Sequence, residues 1–333
     1  MEKKLWLNIL KIIGCILVLI NHTILLKIGD SNVDVFFACI LFAISKVAVP
    51  IFVMVTASIM INRSVDFKYV LKKILKVCIL LIVLSVIVYV IRNASFNLLD
   101  FIQCFFKVSI MYPYWYLCML IGLYLMLPVL NKMIKNLNLS DFRYIVILCL
   151  IIQTIIYTLE KILNFDIEYS FTSFLLPVLI SYYISGVYLS KIELTEKNRN
   201  IAFLCFIIPI IVFVVQLFMP YLNSGKISLD LDSYVYITTS LPALSLFYII
   251  RYYFENKKVS LKLKNIINGL SSLTFGVYLF HPIIIELRMF QFILDSSMVS
   301  SIFCIFMFQI LIFIVCLLST YILKKIPIIR KIL

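Results

Sequence analysis

The stretch Leu5-Trp-Leu-Asn-Ile-Leu-Lys-Ile-Ile-Gly-Cys-Ile-Leu-Val-Leu-Ile-Asn-His-Thr-Ile-Leu-Leu26 decides the fold, because it is an apolar helix of membrane-spanning length. It carries two ionisable side chains, Lys11 and His22, with ten residues between them. Eleven helical steps place both on one helix face, about 20° apart in angle and about 16 Å apart along the axis. Asn8 and Cys15 complete the same stripe. Since ionisable groups at membrane depth are costly and usually face a bundle interior, the pattern predicts a polar cavity beside this helix.

Composition extends this conclusion to the whole chain. Of the 333 residues, 64% are apolar and only 14% are charged, and the mean hydropathy is +1.11. A soluble domain has about a quarter of its residues charged. The sequence therefore predicts an all-α polytopic membrane protein with about ten transmembrane helices and both termini cytoplasmic, forming one transmembrane domain over residues 1–333 with no separate soluble domain. The predicted spans are 5–27, 34–61, 75–91, 114–131, 143–159, 171–189, 201–221, 234–250, 270–291 and 299–323.

The net charge of +14 reports topology and not nucleic-acid binding. With the N-terminus inside, 22 of the 30 lysines and arginines fall in cytoplasmic segments and six fall outside, while Lys11 and Lys46 lie within spans. An excess of this kind on one side is the positive-inside pattern. Membrane lipid is thus a partner, and the basic inner surface also suits an anionic cytosolic ligand.

Several other classes of chemistry have no support. The nine cysteines are scattered without a CxxC pair, and most fall within spans, so neither disulfides nor a metal site is expected. There is no GxGxxG or P-loop motif, so nucleotide-triphosphate chemistry is not indicated. Residues 95–111 are too short and too polar to span comfortably, and we expect them to lie along the outer surface.

Three further segments combine polar groups with helix-breaking or aromatic residues. Lys46 precedes Pro50 by one turn in the second span, which favours either a ligand site or a kinked helix with its lysine near the outer boundary. The segment Tyr-Pro-Tyr-Trp-Tyr at 112–116 fits either an interfacial aromatic belt or a stacking platform for a sugar ring. The segment Gly-Val-Tyr-Leu-Phe-His-Pro at 276–282 places Tyr278 and His281 on one helix face. The chain has two histidines, and both fall in predicted spans.

Together these segments resemble the acyltransferase-3 family of polytopic membrane O-acyltransferases. The first helix is similar to the family's helix in which a basic residue precedes a histidine by ten intervening residues. Val-Pro-Ile-Phe-Val-Met at 49–54, the span led by Trp115, and the segment at 276–282 resemble three further family motifs in the family's order. The chain also departs from the pattern. It has Lys11 for the usual arginine, Thr-Ala at 56–57 for Ser-Gly, and Tyr114 for a histidine often found before the tryptophan.

The resemblance implies transfer of an acyl group, most often acetyl, from cytosolic acyl-CoA to a hydroxyl of an extracytoplasmic or lipid-linked glycan, at the cell (plasma) membrane. It implies no bound cofactor, with acetyl-CoA as the donor substrate. His22 would be the general base or a transient acyl carrier, and Lys11 would hold a polar part of the donor. The basic residues near the inner surface that would attract the CoA phosphates include Arg63, Lys68 and Lys72. The residues that would bind substrate are Lys46, Trp115, Tyr124, Tyr278 and His281.

Two other functions remain open at this point. A transporter or flippase of a polysaccharide precursor also has membrane-depth charges and proline-broken helices. A membrane sensing or anchoring domain without catalysis is the third possibility. His22 separates the first two, because His22→Ala should abolish turnover but leave donor binding in an acyltransferase, whereas in a transporter it should weaken substrate affinity or coupling.

Overall fold

A computed structural model describes residues 4–27, 31–61, 63, 65–93, 95–107, 112–163, 177–229, 232–296 and 301–332. Within these ranges the protein is helical and contains no β-strand. The helices are α1 Leu5–Thr23, α2 Asn32–Ser45, α3 Ala48–Met60, α4 Phe67–Asn93, α5 Leu98–Lys107, α6 Trp115–Lys135, α7 Leu139–Val146, α8 Gln153–Leu163, α9 Val178–Lys191, α10 Glu196–Ser224, α11 Ile237–Phe254, α12 Leu261–Glu286, α13 Gln291–Leu294, α14 Ser301–Leu323 and α15 Pro327–Ile332. A 3₁₀ turn at Tyr112–Tyr114 precedes α6, and a π-helical segment at Ile147–Ile152 joins α7 to α8.

Eight helical segments of the described chain are long and apolar enough to cross a bilayer, which confirms the prediction of an all-α polytopic membrane protein. They are Leu5–Thr23, Asn32–Met60, Phe67–Asn93, Tyr112–Lys135, Leu139–Leu163, Glu196–Ser224, Leu261–Glu286 and Ser301–Leu323. The predicted spans 171–189 and 234–250 overlap α9 and α11, and residues 171–176 lie outside the described ranges. The count of ten spans and the cytoplasmic termini therefore stay predictions.

The predicted surface segment contains a short helix. At ten residues, α5 is too short to span a bilayer. It is attached to the end of α4, since the Tyr89 hydroxyl donates to Asp100 Oδ2 at 2.6 Å and the Tyr89 ring packs edge-on against Phe101. Residues 108–111 of the predicted segment lie outside the described ranges.

The second span is broken in its middle, between α2 and α3. The backbone N–H groups of Lys46 and Val47 reach back only three residues, each to a carbonyl 3.4 Å away. Pro50 has no N–H, so the carbonyl of Lys46 lacks the donor that a continuous helix would give it. The break therefore lies one turn before the proline, and Lys46 itself occupies it.

The polar residues on this face of α1 have two different roles. Asn8 Nδ2 donates to Asn268 Oδ1 at 2.7 Å, and the hydroxyl of Ser271 donates to Asn8 Oδ1 at 3.0 Å. Cys15 Sγ contacts the carbonyl of Thr274 at 3.6 Å. Asn8 and Cys15 thus bind α1 to α12, and this packing turns Lys11 and His22 toward the interior space described below.

A glycine sets the closest approach of two helices in the core. A Cβ atom on Gly186 of α9 would lie 2.5 Å from both the Cα and the carbonyl oxygen of Met54 in α3. The hydroxyl of Ser58 donates across the same interface to the Gly186 carbonyl at 3.1 Å. Only glycine permits this contact, which holds α3 and its neighbouring helix break in place.

We predict that Gly186→Ala lowers the thermal unfolding temperature in detergent or nanodiscs, because the added methyl group must push α3 and α9 apart. Overpacking of this kind costs about 1–3 kcal/mol. The matched control is Gly122→Ala in α6, where nothing lies within 4 Å of the new Cβ. There the helix propensity of alanine should leave stability unchanged or slightly higher. Equal stability of the two variants would contradict the close packing of α3 on α9.

Candidate active site

A large cavity of about 740 Å³ is lined by residues of α1, α2, α3, α4, α6 and α12 and of the segment that precedes α11. Its wall includes six of the site residues predicted from the sequence, which are Lys11, His22, Lys46, Trp115, Tyr124 and Tyr278. These residues come from four different segments of the chain. The cavity is of the size that substrate and cofactor sites usually have.

The inner end of the cavity is basic. Lys11 is the seventh residue of α1, and Lys73 is the seventh residue of α4, which starts on the same predicted cytoplasmic side. Lys73 and Lys76 both line the wall with Lys11. Lys11, Lys73 and Lys76 therefore give this part of the cavity wall a positive potential.

The sequence prediction for the CoA phosphates named neighbours of these lysines. Arg63 and Lys72 are exposed and are not on the cavity wall, although both lie close enough to Lys73 for their charges to interact. Their role stays a prediction. Lys73 and Lys76 were missed because the charge pattern of the loop gives no sign of which face of α4 meets the cavity, although their spacing of three residues does place them on one face.

Farther along α1, two imidazole rings meet. The ring centroids of His22 and His281 are 5.3 Å apart, with the ring planes inclined at 31°. His22 lies on the cavity wall, whereas His281 is buried behind it with 1% of its surface exposed. His281 Nδ1 lies 2.8 Å from the carbonyl oxygen of Tyr278. The structure thus joins the two histidines of the chain, but it places only His22 where a substrate could contact it.

Lys46 is held by an ion pair that the sequence did not predict. Its Nζ lies 2.6 Å from Asp232 Oδ1 and 3.9 Å from the centroid of the Phe42 ring. Asp232 precedes α11, and among the described residues it is the one acidic side chain on the wall. Lys46 is 7% exposed, so it lies inside the protein. No local pattern pairs two residues this far apart in sequence.

The aromatic segment 112–116 has two roles, because some of its residues anchor the start of α6 and others line the cavity. Tyr114 is buried, and its hydroxyl donates to the carbonyl of Leu279 in α12 at 2.9 Å. In return, the hydroxyl of Tyr278 donates to the carbonyl of Pro113 at 2.7 Å. Trp115 faces the cavity and packs against the ring of Tyr234 at 5.6 Å. The segment therefore fixes α6 to α12 and also presents an aromatic surface to the cavity.

The fold and the cavity together define a polytopic membrane protein with a polar, ionisable interior of the kind used for catalysis or transport. A family model described as an acyltransferase domain, that of the acyltransferase-3 family, matches residues 4–324. The chain belongs to this family, and the membership supports membrane acyltransferase activity as its general function. No curated protein and no solved structure matches the chain significantly.

We predict that the Lys46–Asp232 pair shows strong coupling in a double-mutant cycle. Lys46→Met and Asp232→Asn should each lower the unfolding temperature, because each leaves a charge or dipole without its partner inside the protein. The double variant should recover part of the loss, with a coupling of about 1–3 kcal/mol. Strictly additive effects would show that the ion pair does not contribute to folding.

Proposed function

We propose that this protein is an integral membrane O-acyltransferase that moves an acyl group, most simply acetyl, from cytosolic acyl-CoA to a hydroxyl of an extracytoplasmic or lipid-linked glycan. The observation that carries the proposal is one cavity with lysines at the predicted cytoplasmic end, His22 farther along and aromatic residues at the other end. Such a cavity lets a donor and an acceptor meet from opposite sides. The proposed location is the plasma membrane.

The donor would enter from the basic end. Lys11, Lys73 and Lys76 present ammonium groups that suit the phosphates of CoA. Lys11 and His22 lie about 16 Å apart along α1, given the rise of an α-helix. The extended pantetheine arm of acyl-CoA can follow such a distance, which would bring the thioester close to the imidazole.

His22 would then act on the incoming hydroxyl. One ring nitrogen accepts the hydroxyl proton as the oxygen attacks the thioester carbon, so that a C–O bond forms and the C–S bond breaks. The proton passes from the imidazolium to the departing thiolate, which leaves as free CoA. In the alternative sequence, a nitrogen of His22 attacks the thioester carbon and the C–S bond breaks, which releases CoA; the hydroxyl oxygen then attacks the acyl carbon, the C–N bond breaks, and the freed imidazole takes up the hydroxyl proton. Both sequences need the same residue in the same position.

The acceptor would lie against the aromatic end. The rings of Trp115 and Tyr234 offer a face on which a pyranose ring can stack. Lys46 and Asp232 beside them offer a donor and an acceptor for sugar hydroxyls. A surface that combines a flat aromatic face with directional polar groups suits a carbohydrate better than an apolar substrate.

A flippase or transporter of a polysaccharide precursor would use the same cavity without acyl chemistry. The broken helix at Lys46 is compatible with it, since transporters also place broken helices at their binding sites. The family membership favours the acyltransferase, and a transporter would show no dependence on acyl-CoA.

We predict that the wild-type protein in lipid nanodiscs slowly hydrolyses acetyl-CoA, measured as release of free CoA, and that His22→Ala reduces the rate by at least about 100-fold. Binding of a non-hydrolysable acetyl-CoA analogue should change little in the variant. Gly122→Ala is the control for losses of activity caused by purification and reconstitution of a variant. If neither protein turns over acetyl-CoA and neither binds the analogue, the donor assignment is wrong, and glycan flux becomes the measurement.

We also predict that Lys73→Gln and Lys76→Gln each weaken binding of the acetyl-CoA analogue by about tenfold, since each removes a charge from the cavity wall. Lys68→Gln, Lys72→Gln and Arg63→Gln are measured beside them, because these exposed residues are the ones that the sequence predicts to attract the phosphates. Larger losses at positions 63 and 72 than at 73 and 76 would place the phosphates at the rim and not inside the cavity.

A further inference from the structure

The carbonyl of Tyr278 is left without its helical donor. In a continuous helix this carbonyl would accept from the N–H of residue 282, but that residue is proline and has no N–H. His281 Nδ1 lies 2.8 Å from the carbonyl oxygen, and it also lies 3.3 Å from the carbonyl of Val277. The imidazole therefore satisfies the backbone group that Pro282 frees inside the membrane.

This contact fixes the tautomer of His281. A carbonyl oxygen can only accept, so Nδ1 must carry a hydrogen to donate. In a neutral imidazole the other nitrogen, Nε2, then has a lone pair and can only accept. Nε2 is buried and has no hydrogen-bond partner among the described residues. An acceptor buried without a donor is uncommon, and it calls for a nearby group that can donate.

The ring of His22 lies beside the ring of His281. Each ring nitrogen lies about 1 Å from its ring centroid, so nitrogens that faced each other across the 5.3 Å centroid separation would be about 3 Å apart, which is hydrogen-bond length. A rotation of the His22 ring that turns one of its nitrogens toward Nε2 would make this contact. Donation from His22 to Nε2 would leave the second nitrogen of His22 with a lone pair for the cavity.

We infer that His281 is a positioning residue that accepts a hydrogen bond from His22 through Nε2 and so holds His22 in the tautomer whose basic nitrogen faces the cavity. Among the described residues, His281 is not on the cavity wall, so it would act through His22 and not on substrate directly. This replaces the substrate-binding role expected from the sequence. The inference rests on the proposed function, because the basic nitrogen is useful only if His22 receives the acceptor's proton or the acyl group.

The chain has two histidines, so nitrogen-15 labelling of histidine gives a spectrum of only four ring nitrogens. We expect solid-state NMR of the wild type to show one tautomer for each histidine, with hydrogen on Nδ1 of His281. In His281→Asn the remaining His22 should populate both tautomers. A His22 spectrum that is the same in wild type and variant would overturn the inference, whatever the protein's activity.

Two variants separate positioning of His22 from satisfaction of the Tyr278 carbonyl. In His281→Asn the amide can still donate to the carbonyl, but nothing replaces Nε2. In His281→Gln the amide oxygen can reach the position of Nε2 and accept from His22, while the donor to the carbonyl is lost. For CoA release in nanodiscs we expect kcat to fall about 10- to 100-fold in His281→Asn, with KM for acetyl-CoA unchanged, and to recover in part in His281→Gln.

The opposite order, with His281→Asn more active than His281→Gln, would show that the histidine serves the backbone alone and would overturn the inference. Measurement of the wild type beside these variants distinguishes the positioning role of His281 from the acyltransferase function. Wild-type turnover that His22→Ala abolishes and His281→Asn leaves intact would refute the positioning role but not the acyltransferase. Absence of wild-type turnover and of analogue binding would refute the proposed function and, with it, this role of His281.

Discussion

In hydrocarbon a charge or an unpaired backbone carbonyl has no water to bind, so each must find its partner within the protein. This requirement explains the arrangement of the cavity. Pro50 and Pro282 each free one carbonyl, and Lys46 brings a charge to the helix break beside Pro50. Asp232 binds the charge of Lys46, and His281 binds the carbonyl freed by Pro282. Asp232 and His281, which pair with these groups, therefore lie on the same side of the bundle as His22 and are available for its chemistry.

Much of this arrangement could be predicted from the sequence, because it depends on local periodicity. The eleven-residue spacing of Lys11 and His22 places them on one face of α1, and the structure puts both on the cavity wall. The apolar runs identify the helices, and Pro50 marks the broken span. The aromatic residue at the start of the fourth span, Trp115, also faces the cavity. In each case a single helix carries the information.

The remainder depends on contacts between segments that are far apart in sequence. Asp232 contacts Lys46 from the segment before α11, and the sequence pattern around either residue gives no indication of that pair. The same is true of Lys73, whose place on the wall depends on how α4 rotates against α1. His281 was expected to touch substrate, but the packing of α12 puts it behind His22. Such facts follow only from the packed bundle.

We propose that one continuous cavity brings the acyl group of a cytosolic donor to His22. A structure of the protein in nanodiscs with a non-hydrolysable acetyl-CoA analogue tests it most directly. We expect the acyl carbon about 3–4 Å from a ring nitrogen of His22, with the phosphates beside Lys73 and Lys76. An analogue bound outside the cavity, or with its acyl group directed away from His22, would contradict it.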